Sequence, residues 1–178
     1  HYLDIAQYHY GFPGKTDMSY AFFPVYPWLI RTFNIFNSYL VSGLFLSHLF
    51  FILALYFLYK LVLLDEKQKT AKKTIFLILL FPTSLFFGSV YRESLFLLLV
   101  VLSLYLVRKK HYFLGCLVAS VASATRITGI FIWPAIAYEY WIANGKNVKK
   151  LINPKTLFFL LPSMGLLLYM KFQAEKVG

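Results

Sequence analysis

Apolar residues in this chain are gathered into long runs, separated by short polar clusters. Residues 39–64 form the plainest run, with one formal charge, Lys60, near its end; its length suits a single helix across a hydrocarbon core about 30 Å thick. Residues 75–105 cannot be read that way. A continuous helix there would be about 46 Å long, so the run is expected to divide into two short helices, 75–90 and 94–107, that meet at Tyr91-Arg92-Glu93-Ser94. Residues 112–142 repeat the outline, with 112–124 and 127–142 flanking Thr125-Arg126-Ile127-Thr128-Gly129. A last apolar run, 157–172, contains Pro162 and Gly165, which weaken it as a straight helix. Between the runs, residues 65–73 and 143–155 read as basic loops.

Residues 1–37 have a different texture. His1, Asp4 and His9 stand among Tyr2, Tyr8 and Tyr10, and Gly11, Pro13 and Gly14 break any helix before an exposed loop at Lys15–Ser19. The segment AFFPVYPWLIR, residues 21–31, carries Pro24 and Pro27 inside an aromatic run. Missing backbone donors favour extended or kinked geometry there, so residues 20–36 read as an interfacial or re-entrant segment.

Composition narrows what such a pattern can be. The 178 residues are 60% hydrophobic, 20% aromatic and 14% charged, with a mean hydropathy of +0.65. A soluble domain of this size would not enclose so much apolar surface. The expected fold class is therefore an all-α polytopic integral membrane protein, one transmembrane domain with several short helices around an extracytoplasmic cavity. The net charge of +11 sits in clusters between apolar runs and not on a polar, aromatic-interleaved surface, which argues against a nucleic-acid partner. Lys60, Lys67, Lys69, Lys72, Lys73, Arg108, Lys109, Lys110, Lys146, Lys149, Lys150 and Lys155 make up twelve of the 18 basic residues. All twelve fall on one side if each half-run crosses the membrane, and the positive-inside rule makes that side cytoplasmic. Residues 1–37 and the turns at Tyr91–Ser94 and Thr125–Gly129 then share the extracytoplasmic face. The single cysteine, Cys116, has no internal disulfide partner and reads as a small buried or lipid-facing residue. The chain starts at His1 without a methionine and reads as an internal fragment.

The uncommon polar positions are where chemistry is expected. Glu93 stands beside Arg92 at a tight turn, where a carboxylate serves either as a general base or as a cap and ion-pair partner at a helix end. Arg126 has no acidic residue within ten positions. Its guanidinium must find an anion elsewhere, whether Glu93, a lipid phosphate or a phosphorylated ligand. Thr125, Thr128 and Gly129 offer hydroxyls and a close backbone approach beside it. His1 and Asp4 share a face if helical, but no third ligand is spaced to complete a metal site, and no cofactor is evident. His48, inside the run 39–64, reads first as a neutral imidazole bonded to a neighbouring helix.

Together the segments His1-Tyr2-Leu3-Asp4-Ile5-Ala6, Phe22-Phe23-Pro24-Val25-Tyr26-Pro27 with Arg31, Tyr91-Arg92-Glu93-Ser94-Leu95-Phe96 and Thr125-Arg126 with Gly129 are similar, in order and over most of the chain, to the GPI-anchor second-mannose mannosyltransferase family and its bacterial relatives. The resemblance implies a GT-C type glycosyltransferase that moves a mannosyl or similar residue, with inversion, from a polyprenyl-phosphate donor to an extracytoplasmic glycan, glycolipid or protein acceptor. It places the enzyme in the cell membrane if bacterial and in the endoplasmic reticulum membrane if eukaryotic, among membrane lipids. The catalytic base it implies is an Asp ahead of His1, for which Asp4 is a poor substitute; Glu93 is the candidate catalytic carboxylate within the chain. His1, Tyr26, Arg31, Tyr91, Arg92, Arg126 and Gly129 are the candidate substrate-binding residues. A transporter or flippase of a lipid-linked or anionic substrate, or a lipid-binding membrane subunit, would also place Arg126 and Glu93 in a cavity between short helices.

Overall fold

A computed structural model describes residues 1–11, 21–147 and 154–177. The expectations for Pro13, Gly14, Lys15–Ser19, Lys149 and Lys150 lie outside them. Every regular element among the described residues is a helix: α1 (Tyr2–Tyr8), α2 (Val25–Thr32), α3 (Tyr39–Val62), α4 (Gln68–Leu80), α5 (Leu85–Gly88), α6 (Glu93–Arg108), α7 (Tyr112–Ser123), α8 (Ile132–Ala143) and α9 (Leu161–Val177). Tighter 3₁₀ turns occupy Pro82–Ser84, Ile127–Phe131 and Pro154–Leu160.

Proline placement explains several of the boundaries. Pro24 caps α2 and Pro27 lies in its first turn; Pro134 and Pro162 lie in the first turns of α8 and α9. First-turn N–H groups have no intrahelical acceptor, so a proline there removes nothing. The extended or kinked geometry expected around Pro24 and Pro27 therefore gives way to a two-turn helix, and the last run forms a helix through Pro162 and Gly165. Pro82 acts differently. It holds Phe81 extended at ψ 132°, so residues 75–90 form no single helix but α4, a 3₁₀ turn and the one-turn α5. On its other side α4 reaches back to Gln68, taking Lys69, Lys72 and Lys73 out of the expected loop, because Gln, Lys and Ala favour helix and no Gly or Pro stops it. Residues 127–142 likewise begin as 3₁₀ before α8 starts.

α6 is the central helix. It packs against α3 on one side and α7 on the other, and α9 covers the outer side of α7. Its buried residues include Leu95, Leu98, Leu99, Val101, Ser103 and Val107. Ser103 Oγ donates to the Gly115 carbonyl at 2.8 Å, tying α6 to α7. A Cβ at Gly165 would lie far inside contact distance of the Ser120 carbonyl oxygen, so α9 reaches α7 only through a glycine. α1 and α2 pack together and onto α3.

Each end of α6 carries ionic contacts. At its C-terminus Arg108 binds Asp65, which follows α3, and stands 3.5 Å from Glu139 of α8. At its N-terminus lie Arg92 and Glu93. Two helical stretches, Tyr39–Val62 and Thr156–Glu175, are long and apolar enough to cross a membrane. Large apolar side chains face outward elsewhere too, including Phe76, Leu77, Leu80 and Phe81 along α4 and its end.

Candidate functional site

Glu93 opens α6, where the positive end of the helix dipole favours a carboxylate. Arg126 lies where α7 gives way to the 3₁₀ turn, with an extended backbone (φ −156°, ψ 137°). Its Nη1 donates to Glu93 Oε1 at 3.3 Å. Its guanidinium carbon lies 5.6 Å from the ring centre of Phe96, one turn along α6 from Glu93. Neighbouring residues hold this arrangement. Thr125 Oγ1 donates back to the Val121 carbonyl at 2.8 Å, so its hydroxyl is engaged within α7. Gly129 lies against the α7 backbone, where an added Cβ would be 2.5 Å from the Ala122 carbonyl carbon. The anion that Arg126 needs is thus supplied by Glu93, from 33 residues away.

Of the three buried side-chain polar atoms without a hydrogen-bond partner among the described residues, two belong to this cluster, Glu93 Oε2 and Arg92 Nη1; the third is Trp141 Nε1. The Arg92 guanidinium carbon stands 5.8 Å from the ring centre of Phe23. Tyr2 closes the cluster, its ring 5.1 Å from Phe22, 5.5 Å from Tyr26 and 6.3 Å from Tyr91. Burial pushes the Tyr2 phenol up to about 12; Arg92 pulls against that shift and Glu93 adds to it. It is a neutral hydrogen-bond donor at physiological pH. Tyr2 is absent from the residues singled out by sequence, although Tyr2, Ile5 and Ala6, at i, i+3 and i+4, are the buried face of α1.

The remaining candidates separate into two groups. Tyr91 is exposed and joins the cluster through Tyr2 and through Phe86 at 6.0 Å. His1 stacks on Phe22 at 4.9 Å, at the rim. Tyr26 and Arg31 hold elements in place: the Tyr26 hydroxyl meets Ser47 Oγ at 2.6 Å and the Gly43 carbonyl at 3.2 Å inside α3, and Arg31 Nη1 donates to the Ala6 carbonyl at 3.4 Å. Asp4 stands 3.4 Å from the His1 main-chain nitrogen. Two positions from Tyr2, it lies about 200° around α1 from the side facing Glu93. His48 bonds within its own helix, Nδ1 to the Leu44 carbonyl at 2.8 Å, and not to a neighbouring one. Among the described residues no three His, Cys, Asp or Glu side chains gather.

Chemically, the cluster pairs a carboxylate that has one oxygen committed and one open with two guanidiniums, inside a ring of aromatics. A carboxylate so placed can accept a proton from a hydroxyl, while a guanidinium holds a phosphate oxyanion. Comparison with family models, with curated proteins and with solved structures returns no match.

Proposed function

We propose that the protein is a polytopic membrane glycosyltransferase of GT-C type, which moves a mannosyl or similar residue from a polyprenyl-phosphate donor to an extracytoplasmic acceptor. The observation that carries this reading is the Glu93–Arg126 pair with Arg92 beside it, at the meeting point of helix ends and under the aromatics of the His1–Ala6 and Phe22–Pro27 segments. The outward-facing apolar residues and the two membrane-length helices support a hydrocarbon setting. The Arg108 contacts with Asp65 and Glu139, at the opposite end of α6, fit a cytoplasmic side rich in lysine.

In this reading an acceptor hydroxyl gives its proton to a carboxylate and its oxygen attacks the anomeric carbon. The bond from that carbon to the phosphate oxygen breaks with inversion, and polyprenyl phosphate leaves with its new charge held by guanidinium. Glu93 has an open oxygen for the proton and also holds Arg126 toward the reacting centre; the similarity to the mannosyltransferase family points to a further Asp ahead of His1 for the same task. In this reading the guanidiniums carry the leaving-group charge.

The test uses the full-length protein in membranes or nanodiscs. Glu93→Gln and Arg126→Ala are each expected to lower sugar transfer from a polyprenyl-phosphate donor about 100-fold or more, at unchanged expression. Unchanged transfer in both variants would sink their assigned roles. One observation favours a second reading, a flippase of a lipid-linked substrate. The helix break at Ile127–Phe131 follows directly on Arg126, as in transporters with discontinuous helices. That activity would move a fluorescent lipid phosphate between leaflets and form no glycosidic product.

A further inference from the structure

We propose that the cleft between α3 and α4 binds an anionic phospholipid, with the lipid phosphate at Lys72 and one acyl chain along Leu55 and Ile75. The proposal rests on the hydrocarbon setting and is independent of the glycosyltransferase reading.

The cleft measures about 330 Å³ and is lined by Leu55, Tyr56 and Tyr59 of α3 and by Lys72 and Ile75 of α4. Its volume falls in the ~300–1,000 Å³ range of small-ligand pockets. α4 packs on α3 with Ala71 as its one buried residue, so the two helices leave space between them beyond that contact.

What decides the occupant is the order of chemistry along the cleft. Lys69, Lys72 and Ile75 follow one another at three-residue spacing, so this side of α4 passes from cationic to apolar. The chain reverses at residues 63–67. Tyr59 and Lys60 of α3 therefore lie toward the Lys72 end of the cleft, and Leu55 lies toward the Ile75 end. Lys60 holds its Nζ 5.7 Å from the ring centre of Tyr56, on the cleft wall. Lys60, Lys69, Lys72 and Lys73 are all exposed, and none is in an ion pair among the described residues. Of the nearby acids, Asp65 is taken by Arg108, which leaves Glu66 in the connection. The start of α4 has no side-chain cap, so its helix dipole adds to the positive end. Away from that end the surface is apolar: Ile52, Phe76 and Leu79 are exposed, and α3 is long and apolar enough to cross a membrane. A cationic end joined to an apolar slot complements an amphiphile with an acidic headgroup. A zwitterionic headgroup would bring a cation of its own among the lysines, which disfavours it.

The experiment is photo-crosslinking on the full-length protein in nanodiscs, with phosphatidylglycerol carrying a diazirine on one acyl chain as the probe and adducts mapped by mass spectrometry. Adducts are expected on residues 55–59 and 72–75, competed by unlabelled phosphatidylglycerol and not by phosphatidylcholine. Lys72→Gln should lower this labelling about fivefold, the worth of one lysine near an anionic headgroup, and Lys72→Arg should retain most of it. Lys146→Gln, at an exposed lysine outside the cleft, should leave labelling unchanged. Equal competition by phosphatidylcholine overturns the proposal and makes the cleft an ordinary lipid contact. Labelling unaffected by Lys72→Gln overturns it too, as does an equal loss with Lys146→Gln, the mark of a diffuse charge effect. An absence of adducts on both segments overturns it and leaves the cleft to a protein partner. The expected labelling in a protein that transfers no sugar keeps the lipid site and removes the glycosyltransferase. Intact transfer without these adducts overturns the lipid site alone.

Discussion

At the residue scale, the consequential positions are those where a side chain or its absence permits a close approach. Gly165 is one: α7 and α9 pack with the Ser120 carbonyl where a methyl group would be. Gly165→Ala is expected to cost about 1–3 kcal/mol through overpacking, read as a lowered unfolding temperature of the purified protein. An unchanged unfolding temperature would mean that the helices part without strain. Arg126 and Glu93 were legible as odd charges in apolar surroundings, and the need of each for a partner follows from elementary electrostatics. Their pairing could be named only as one option among several, because 33 residues separate them and nothing local in the sequence joins them. Tyr2 was less visible. A tyrosine in an aromatic-rich segment carries no mark of burial until α1 folds and turns the Tyr2, Ile5 and Ala6 face inward.

At the scale of elements, helix content followed from the apolar runs, and the helix ends followed from where prolines fall relative to a first turn. Composition marks a proline as a breaker without saying whether a helix starts or stops there. Pro27 lies in the first turn of α2 and Pro82 ends α4, a distinction set by the direction in which the chain continues. α2 also shows how a candidate binding residue becomes a fastener. The Tyr26 hydroxyl reaches into α3, to Ser47 and the Gly43 carbonyl. Tyr26→Phe should therefore destabilise by about 1 kcal/mol, lowering the unfolding temperature with little change in the KM for donor. A raised KM at unchanged stability would return Tyr26 to the substrate.

For the whole molecule, the arrangement is that of ionic contacts at both ends of a central apolar helix. Cysteine labelling tests which side each end faces. Ser94 is buried and serves poorly as a reporter, whereas Tyr91 is exposed at the N-terminal end of α6 and Lys69 is exposed on α4. In a Cys116→Ala background, Tyr91→Cys and Lys69→Cys should react with an impermeant maleimide from opposite sides of the membrane. Reaction from the same side would overturn the membrane topology. The helices were legible from the apolar runs, while the gathering of α1, α2 and the α7 end around one point required the tertiary packing. The central helix, Glu93–Arg108, has 16 residues, about 24 Å of rise against a hydrocarbon thickness near 30 Å. In the proposed membrane setting a hydrophobic mismatch follows: a bilayer around α6 must thin, or the headgroup layer must dip toward Glu93. Under the proposed function, bilayer thickness becomes a control on transfer, and reconstitution in shorter-chain lipids should raise the transfer rate by bringing the proposed donor's phosphate down to the level of the guanidiniums.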